Sequence, residues 1–183
     1  MTPSPLPQEN ARGFEALDRL EMAELEARLL ACCGSARWVA SMAARRPFDD
    51  QDTLLQAAED AADELSRDDW LEAFSHHPRI GDVEALRERF GRRSGSWSQG
   101  EQAGLDGTST DVLQRLAAGN QSYDERFGWI FLVCASGKSA AEMLELLEAR
   151  LGNEPDEEFA IAMGEQRKIT RLRLMKLIQE LGH

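Results

Sequence analysis

The chain has 183 residues, 42% of them hydrophobic and 30% charged, the balance of a soluble globular protein with one substantial core rather than of a disordered chain. Its 33 acidic residues outweigh 21 basic ones for a net charge of −12, which argues against a nucleic-acid partner and against docking on an anionic membrane. An anionic substrate would therefore need a local arginine or lysine to overcome the overall field.

The first ten residues, with prolines at 3, 5 and 7, read as a loose tail, and residues 11–183 as a single helical domain. That start has no basic stretch followed by an apolar run, so no signal peptide is expected. No segment approaches the roughly 20 apolar residues that cross a bilayer. Leu17, Leu20, Leu25 and Leu29 recur at helical spacing and predict one helix from Phe14 to Cys33, ended by Gly34. Trp38, Val39 and Met42 predict a second helix, closed by Pro47. Asp52 is placed to cap a third, carrying Leu54, Leu55, Ala58, Ala62 and Leu65. Ser66-x-x-Asp69 has capping-box spacing and opens a fourth, which delivers His76 and His77.

Pro78 lacks an N–H and drives the residue before it into extended backbone, so the fourth helix stops there. His77 is thus presented from a helix end, where an imidazole can reach a cavity, and histidine is the side chain whose ordinary pKa lies near neutrality. Taken alone, His77-Pro78 is a helix stop bearing a surface histidine. Asp82 can cap a short helix through Phe90, and Gly91-Arg92-Arg93-Ser94-Gly95-Ser96 reads as a connector. Ser98-x-x-Glu101 repeats the capping spacing and opens a short helix with Glu101 and Gln102 on its first turn. Helical signals resume at Ser109 toward Tyr123. Trp129 to Ala135 is a continuous apolar run, read as buried helix or as extended core backbone, since periodicity cannot separate the two. Ser139-x-x-Glu142 is a third capping spacing, and Pro155 with Asp156, Glu157 and Glu158 favours the start of a long helix toward Leu181. No period-two strand pattern recurs, and the fold class is all-α.

Gly137-Lys138-Ser139 invites a phosphate-loop reading, but the required glycine five positions earlier is Leu132, and no alternating strand–helix pattern surrounds it. No metal site is expected: the side chains of His76 and His77 diverge, and Asp49-Asp50 and Asp68-Asp69 read as solvated helix starts. Cys32, Cys33 and Cys134 are odd in number and form no CxxC pair, so neither a disulfide framework nor structural zinc is expected, and reduced thiols in a cytoplasmic protein are. Glu101 is either a cap returning to Ser98 or, with Gln102, a hydrogen-bonding pair for a polar heterocycle. Arg171 and Arg173 lie among Ile169, Leu172, Leu174 and Leu177, where an arginine between core leucines either snorkels or grips a carboxylate.

Four ordered motifs carry a resemblance: His77-Pro78-Arg79-Ile80-Gly81-Asp82, Ser98-x-x-Glu101-Gln102-Ala103-Gly104-Leu105, the run from Phe127 through Trp129 to Ala135, and Lys168-Ile169-x-x-Leu172-Arg173-Leu174. Trp38-Val39-Ala40 and Arg46-Pro47-Phe48 add to it. From about Phe14 to Leu177 the chain resembles the family of 2-oxo-4-hydroxy-4-carboxy-5-ureidoimidazoline (OHCU) decarboxylases of urate breakdown. It departs from the common bacterial form in having Arg37 where a proline often precedes the tryptophan, which touches no proposed catalytic residue.

The resemblance implies an all-helical, usually dimeric enzyme that needs no cofactor, removes the carboxylate of OHCU and protonates the adjacent carbon on one face to give (S)-allantoin. It implies His77 as acid/base beside the carboxylate and hydroxyl, with Pro78 next to it in the substrate site. Glu101 would hydrogen-bond the ring nitrogen where charge develops, Ser98 and Gln102 would orient the ureido and ring groups, and Arg173 would bind a substrate oxygen. Backbone groups of Phe131, Leu132, Val133, Cys134 and Ala135 would bind the ring edge. The competing class is a non-enzymatic helical module that binds a protein partner, in which His77, Glu101 and Arg173 are merely a stop, a cap and a snorkelling side chain.

Overall fold

The computed structural model describes residues 8–77 and 102–183, with side chains from 11–77 and 110–183. Every regular element among them is an α-helix: α1 (Gln8–Arg19), α2 (Met22–Cys32), α3 (Ala36–Ala44), α4 (Gln51–Asp63), α5 (Arg67–Ser75), α6 (Gln102–Phe127), α7 (Ala140–Arg150) and α8 (Pro155–Gly182). The chain divides into two compact units, residues 77–162 on the one hand and residues 1–76 with 163–183 on the other. The helix expected after Asp82 and the 91–96 connector lie outside the described residues, as do Pro78, Ser98 and Glu101.

The larger unit contains α1 to α5 and most of α8. Phe14, Leu17, Leu25, Leu29, Trp38, Met42, Phe48, Leu54, Phe74, Leu174 and Ile178 are buried in it almost completely. Burying one such side chain is worth about 1.5–3 kcal/mol, so this apolar set is the main drive for packing α1–α5 around the end of α8. Trp38 ties α3 to α4 through an indole N–H donated to the Ala58 carbonyl at 3.1 Å, which lets a large ring enter the core with its polar atom satisfied.

The single helix expected from Phe14 to Cys33 is two helices. The chain leaves α1 in a tight turn, Leu20 N–H to the Leu17 carbonyl at 3.3 Å, and Glu21 is extended at φ −58°, ψ 148°. Arg46 accounts for the break, because its guanidinium donates to the Leu20 carbonyl at 2.8 Å and Asp18 accepts the Phe48 N–H at 3.0 Å. These partners lie more than 25 residues away, beyond the reach of a local pattern. Helix α1 also begins inside the stretch read as tail. The cap of α4 is Asp50 rather than Asp52, its carboxylate accepting the Thr53 N–H at 2.8 Å.

The smaller unit contains α6, α7 and the first turns of α8, with Leu113, Leu116, Tyr123, Phe127, Trp129, Leu132, Met143, Leu144, Leu147 and Phe159 in its core. Helix α6 is a single 26-residue helix where a short one and a second were expected, and Gly104, Gly107 and Gly119 do not interrupt it. Its end is made by Gly128, at φ +79°, whose N–H returns to the Asp124 carbonyl at 2.8 Å. That left-handed conformation suits glycine and closes a helix against its own last turn. Helix α7 opens with the expected capping box of Ser139 and Glu142. Among the described residues no helix is long and apolar enough to cross a membrane.

Candidate active site

Local chemistry decides where α5 ends and His77 begins. Ser66 and Asp69 form a full capping box, the Ser66 hydroxyl accepting the Asp69 N–H while the Asp69 carboxylate accepts the Ser66 N–H at 2.9 Å. Trp70, Ala73 and Phe74 are buried, and Glu72 accepts the Ala36 N–H at 3.1 Å, which anchors α5 to the start of α3. Helix α5 stops at Ser75, His76 is its C-cap, and His77 follows, half-buried, just outside the helix as Pro78 predicts.

Gly34 fixes this end from the other side. A Cβ at position 34 would run into Cβ and Cγ of His76. Those atoms belong to the root of the side chain, so relief requires backbone movement. Gly34→Ala is expected to cost about 1–3 kcal/mol of stability, as overpacking in a tight interface does, and a lowered urea midpoint would show it.

Arg173 lies on α8 and is half-buried, with Nη1 donating to the carbonyls of Ala31 at 3.2 Å and Cys32 at 3.4 Å. Those are the last carbonyls of α2, the negative end of its dipole, so α2 orients the guanidinium through one nitrogen. Nε and Nη2 donate to no partner among the described residues and remain for an anionic or carbonyl oxygen. Arg171 takes another direction and lines a narrow cleft with Cys33, Trp38, Leu55, Trp70 and Thr170. Leu172, expected among core leucines, is 49% exposed, and the apolar contact of this part of α8 is made by Leu174, Leu177 and Ile178.

The thiols beneath Arg173 are inert ones. Burial pushes Cys32 up to about 12 and Cys33 up to about 11, with Arg173 opposing the rise in both. Both groups stay protonated in the folded protein at pH values where they ionise in the unfolded chain, so the unfolded state binds fewer protons there. Their contribution to stability is present in full below pH 9 and is lost as pH climbs from 9 through about 12. The melting temperature is accordingly expected to fall above pH 9, and to fall less steeply in Cys32→Ala/Cys33→Ala.

In the smaller unit the apolar run is not helix: Trp129 lies in a bend and residues 130–135 are irregular backbone, with only Trp129 and Leu132 of the run buried. No β-ladder among the described residues pairs with them, and side chains hold the backbone instead. Arg150 donates from Nη1 to the Leu132 carbonyl at 2.7 Å, and Lys138 donates from Nζ to the Cys134 carbonyl at 2.9 Å. Lys138 of the Gly137-Lys138-Ser139 triplet is therefore a brace and Ser139 a helix cap, in keeping with the rejected phosphate-loop reading. Phe131, Leu132, Val133, Cys134 and Ala135 are thus brought together on one braced stretch, and Gln102 opens α6.

Arg150 and Glu158 escaped the sequence reading. Glu158 was expected only as a first-turn acid favouring the start of α8, and it is fully buried. Its Oε1 receives Arg150 Nε at 2.8 Å and Nη2 at 2.5 Å, its Oε2 receives the Asn153 amide at 2.8 Å, and the Tyr123 hydroxyl donates to it as well. Burial, then the hydrogen bond given to Glu158, pushes the Tyr123 phenol far above its usual value and keeps it a donor. The available signal was spacing: Arg150 continues the apolar face of Met143 and Leu147, and Glu158 shares a four-residue stripe with Ala162, Gln166, Thr170, Leu174 and Ile178, all buried.

Known proteins match this arrangement. The OHCU decarboxylase family model matches residues 18–175. The uric acid degradation bifunctional protein TTL of Arabidopsis thaliana is 40% identical over 151 residues, 81% of this chain and 46% of that protein. A 2-oxo-4-hydroxy-4-carboxy-5-ureidoimidazoline decarboxylase of Haloferax volcanii is 30% identical over 138 residues, 75% of this chain and 79% of that protein. A crystal structure of an OHCU decarboxylase in the presence of (S)-allantoin superposes with a TM-score of 0.65 at 36% identity, covering 81% of this chain and 95% of the other. The chain spans less than half the length of the bifunctional relatives it matches, 46% of the Arabidopsis protein and 28% of the uric acid degradation bifunctional protein PucL of Bacillus subtilis. With the family model covering all but the ends of the chain, and an all-helical fold that superposes on a solved member, this chain belongs to the OHCU decarboxylase family.

Proposed function

We propose that the chain decarboxylates OHCU and protonates the resulting carbanion on one face to give (S)-allantoin, with no cofactor. The observation that carries this reading is the family match over residues 18–175, together with His77, Glu101 and Arg173 in the motifs that the resemblance assigns to catalysis. The related crystal structure is described with (S)-allantoin, the product the reaction requires. The same match weighs against a non-enzymatic partner-binding module.

The substrate supplies its own electron sink, because the carbon that loses carbon dioxide neighbours a C=N bond able to accept the departing electron pair. What remains for the protein is positioning, desolvation and controlled proton transfer. His77, released from α5 at its C-terminus, serves as acid/base at the carboxylate and hydroxyl, with Pro78 assigned beside it to substrate binding. Glu101 hydrogen-bonds the ring nitrogen, and Ser98 and Gln102 orient the ureido and ring groups. Arg173, held by the end of α2, offers the rest of its fork to a substrate oxygen and supplies the positive charge that the acidic chain lacks. The backbone of Phe131 to Ala135 receives the ring edge. The reading further takes residues 11–183 as one domain, supported by a family match that spans both compact units, and the enzyme as a cytoplasmic homodimer.

The test is the optical activity of allantoin formed from freshly generated OHCU. Protonation in achiral water yields a racemate, so rapid appearance of one enantiomer is the expected result. Racemic product at the uncatalysed rate, from folded protein, would overturn the reading.

A further inference from the structure

Arg150 sits 9% exposed in its side chain against a Glu158 side chain that is not exposed at all, and the pair is closed at 2.5 Å. An ion pair withdrawn from water to this degree is expensive, and apolar residues of similar volume often replace one at no loss. Stability alone is therefore a weak reason for it. Beyond Glu158 the guanidinium serves two partners that an apolar residue could not: Nη2 donates to the Tyr123 hydroxyl at 3.4 Å, and the other is a backbone carbonyl. Nη1 holds the Leu132 carbonyl at 2.7 Å, while the guanidinium carbon stacks 4.8 Å from the centre of the Phe131 ring, which meets Tyr123 edge-on at 5.3 Å.

In a trans peptide the C=O and the following N–H point in opposite directions. Fixing the Leu132 carbonyl toward Arg150 thus turns the Val133 N–H away from the buried network. That amide donates to no partner among the described residues, and Val133 is partly exposed. We propose that Arg150, neutralised by Glu158, is a positioning residue for substrate: it locks the 132–133 peptide so that the Val133 N–H is aimed, in advance of binding, at an acceptor oxygen or nitrogen on the edge of the substrate ring. This inference rests on the decarboxylase reading. It adds the residues that preorganise the 131–135 backbone, so that the amide need not be ordered when ligand arrives.

Arg150→Lys tests the fork. A lysine keeps the charge beside Glu158 but cannot serve Glu158 and the Leu132 carbonyl with one planar group. Arg150→Met/Glu158→Gln removes both charges and leaves a side-chain amide at position 158 able to hydrogen-bond Tyr123 and Asn153, so it retains the fold if the single variant does not. In each folded variant KM for OHCU is expected to rise by about tenfold, with kcat within about threefold of wild type, as for a lost binding interaction rather than a lost proton transfer. A purely structural role would lower the active fraction, and so the apparent kcat, at unchanged KM. That outcome overturns the proposal. In the wild-type protein the Val133 amide proton is expected to shift on saturation with (S)-allantoin, and an unmoved resonance in protein that forms one enantiomer overturns it too. Racemic product from the wild type would instead fall on the decarboxylase reading itself.

Discussion

His77→Asn is expected to leave a folded protein and to lower kcat/KM for OHCU by about 10²–10⁴, the range that a positioned acid or base contributes. The fold should survive because the backbone around His77 is set by other residues. The capping box of Ser66 and Asp69 starts α5, Trp70 and Phe74 bury its inner face, and His76 closes it against Gly34. Asparagine retains a polar group of comparable reach and loses only the exchangeable proton near neutral pH. Allantoin formed in its presence should be racemic. His76→Asn is the informative control, since His76 is the exposed C-cap and has no assigned chemistry. Wild-type turnover by His77→Asn at unaltered stability would remove His77 from the mechanism.

Glu158→Ala is expected to be the most damaging single change to stability, at about 3–5 kcal/mol, because it leaves the Arg150 cation buried without its counter-charge. The Tyr123 hydroxyl and the Asn153 amide lose their acceptor in the same stroke. For a chain of this size the melting temperature should drop on the order of 10 °C. Removing both charges together is expected to recover most of the loss, since the penalty comes from the unpaired charge rather than from absent volume. Equal destabilisation by Glu158→Ala and by Arg150→Met/Glu158→Gln would show that packing, not charge, is at stake.

What proved legible in the sequence was local. The boxes at Ser66 and Ser139, the stop imposed by Pro78 and the opening of α8 at Pro155 follow from hydrogen-bond demands within three or four residues, and each lies where its pattern put it. The all-α class follows equally, from apolar spacing and the lack of alternation. Motif order led to the family, through short segments whose residue types are tied to one chemistry.

Contacts between distant segments decided the rest. Arg46 and Asp18 split the first helical pattern in two, a break that the leucine spacing gave no reason to expect. Glu158 looks like any first-turn acid until Arg150, Tyr123 and Asn153 close around it. The run from Trp129 to Ala135 is equally apolar as helix or extended chain, and the side chains of Arg150 and Lys138 settle it by taking the carbonyls that a helix would have used internally. Sequence alone determined which groups are available and where the helices start. Tertiary structure decided which charges are buried together and which way an irregular backbone points, because both depend on partners brought from far along the chain.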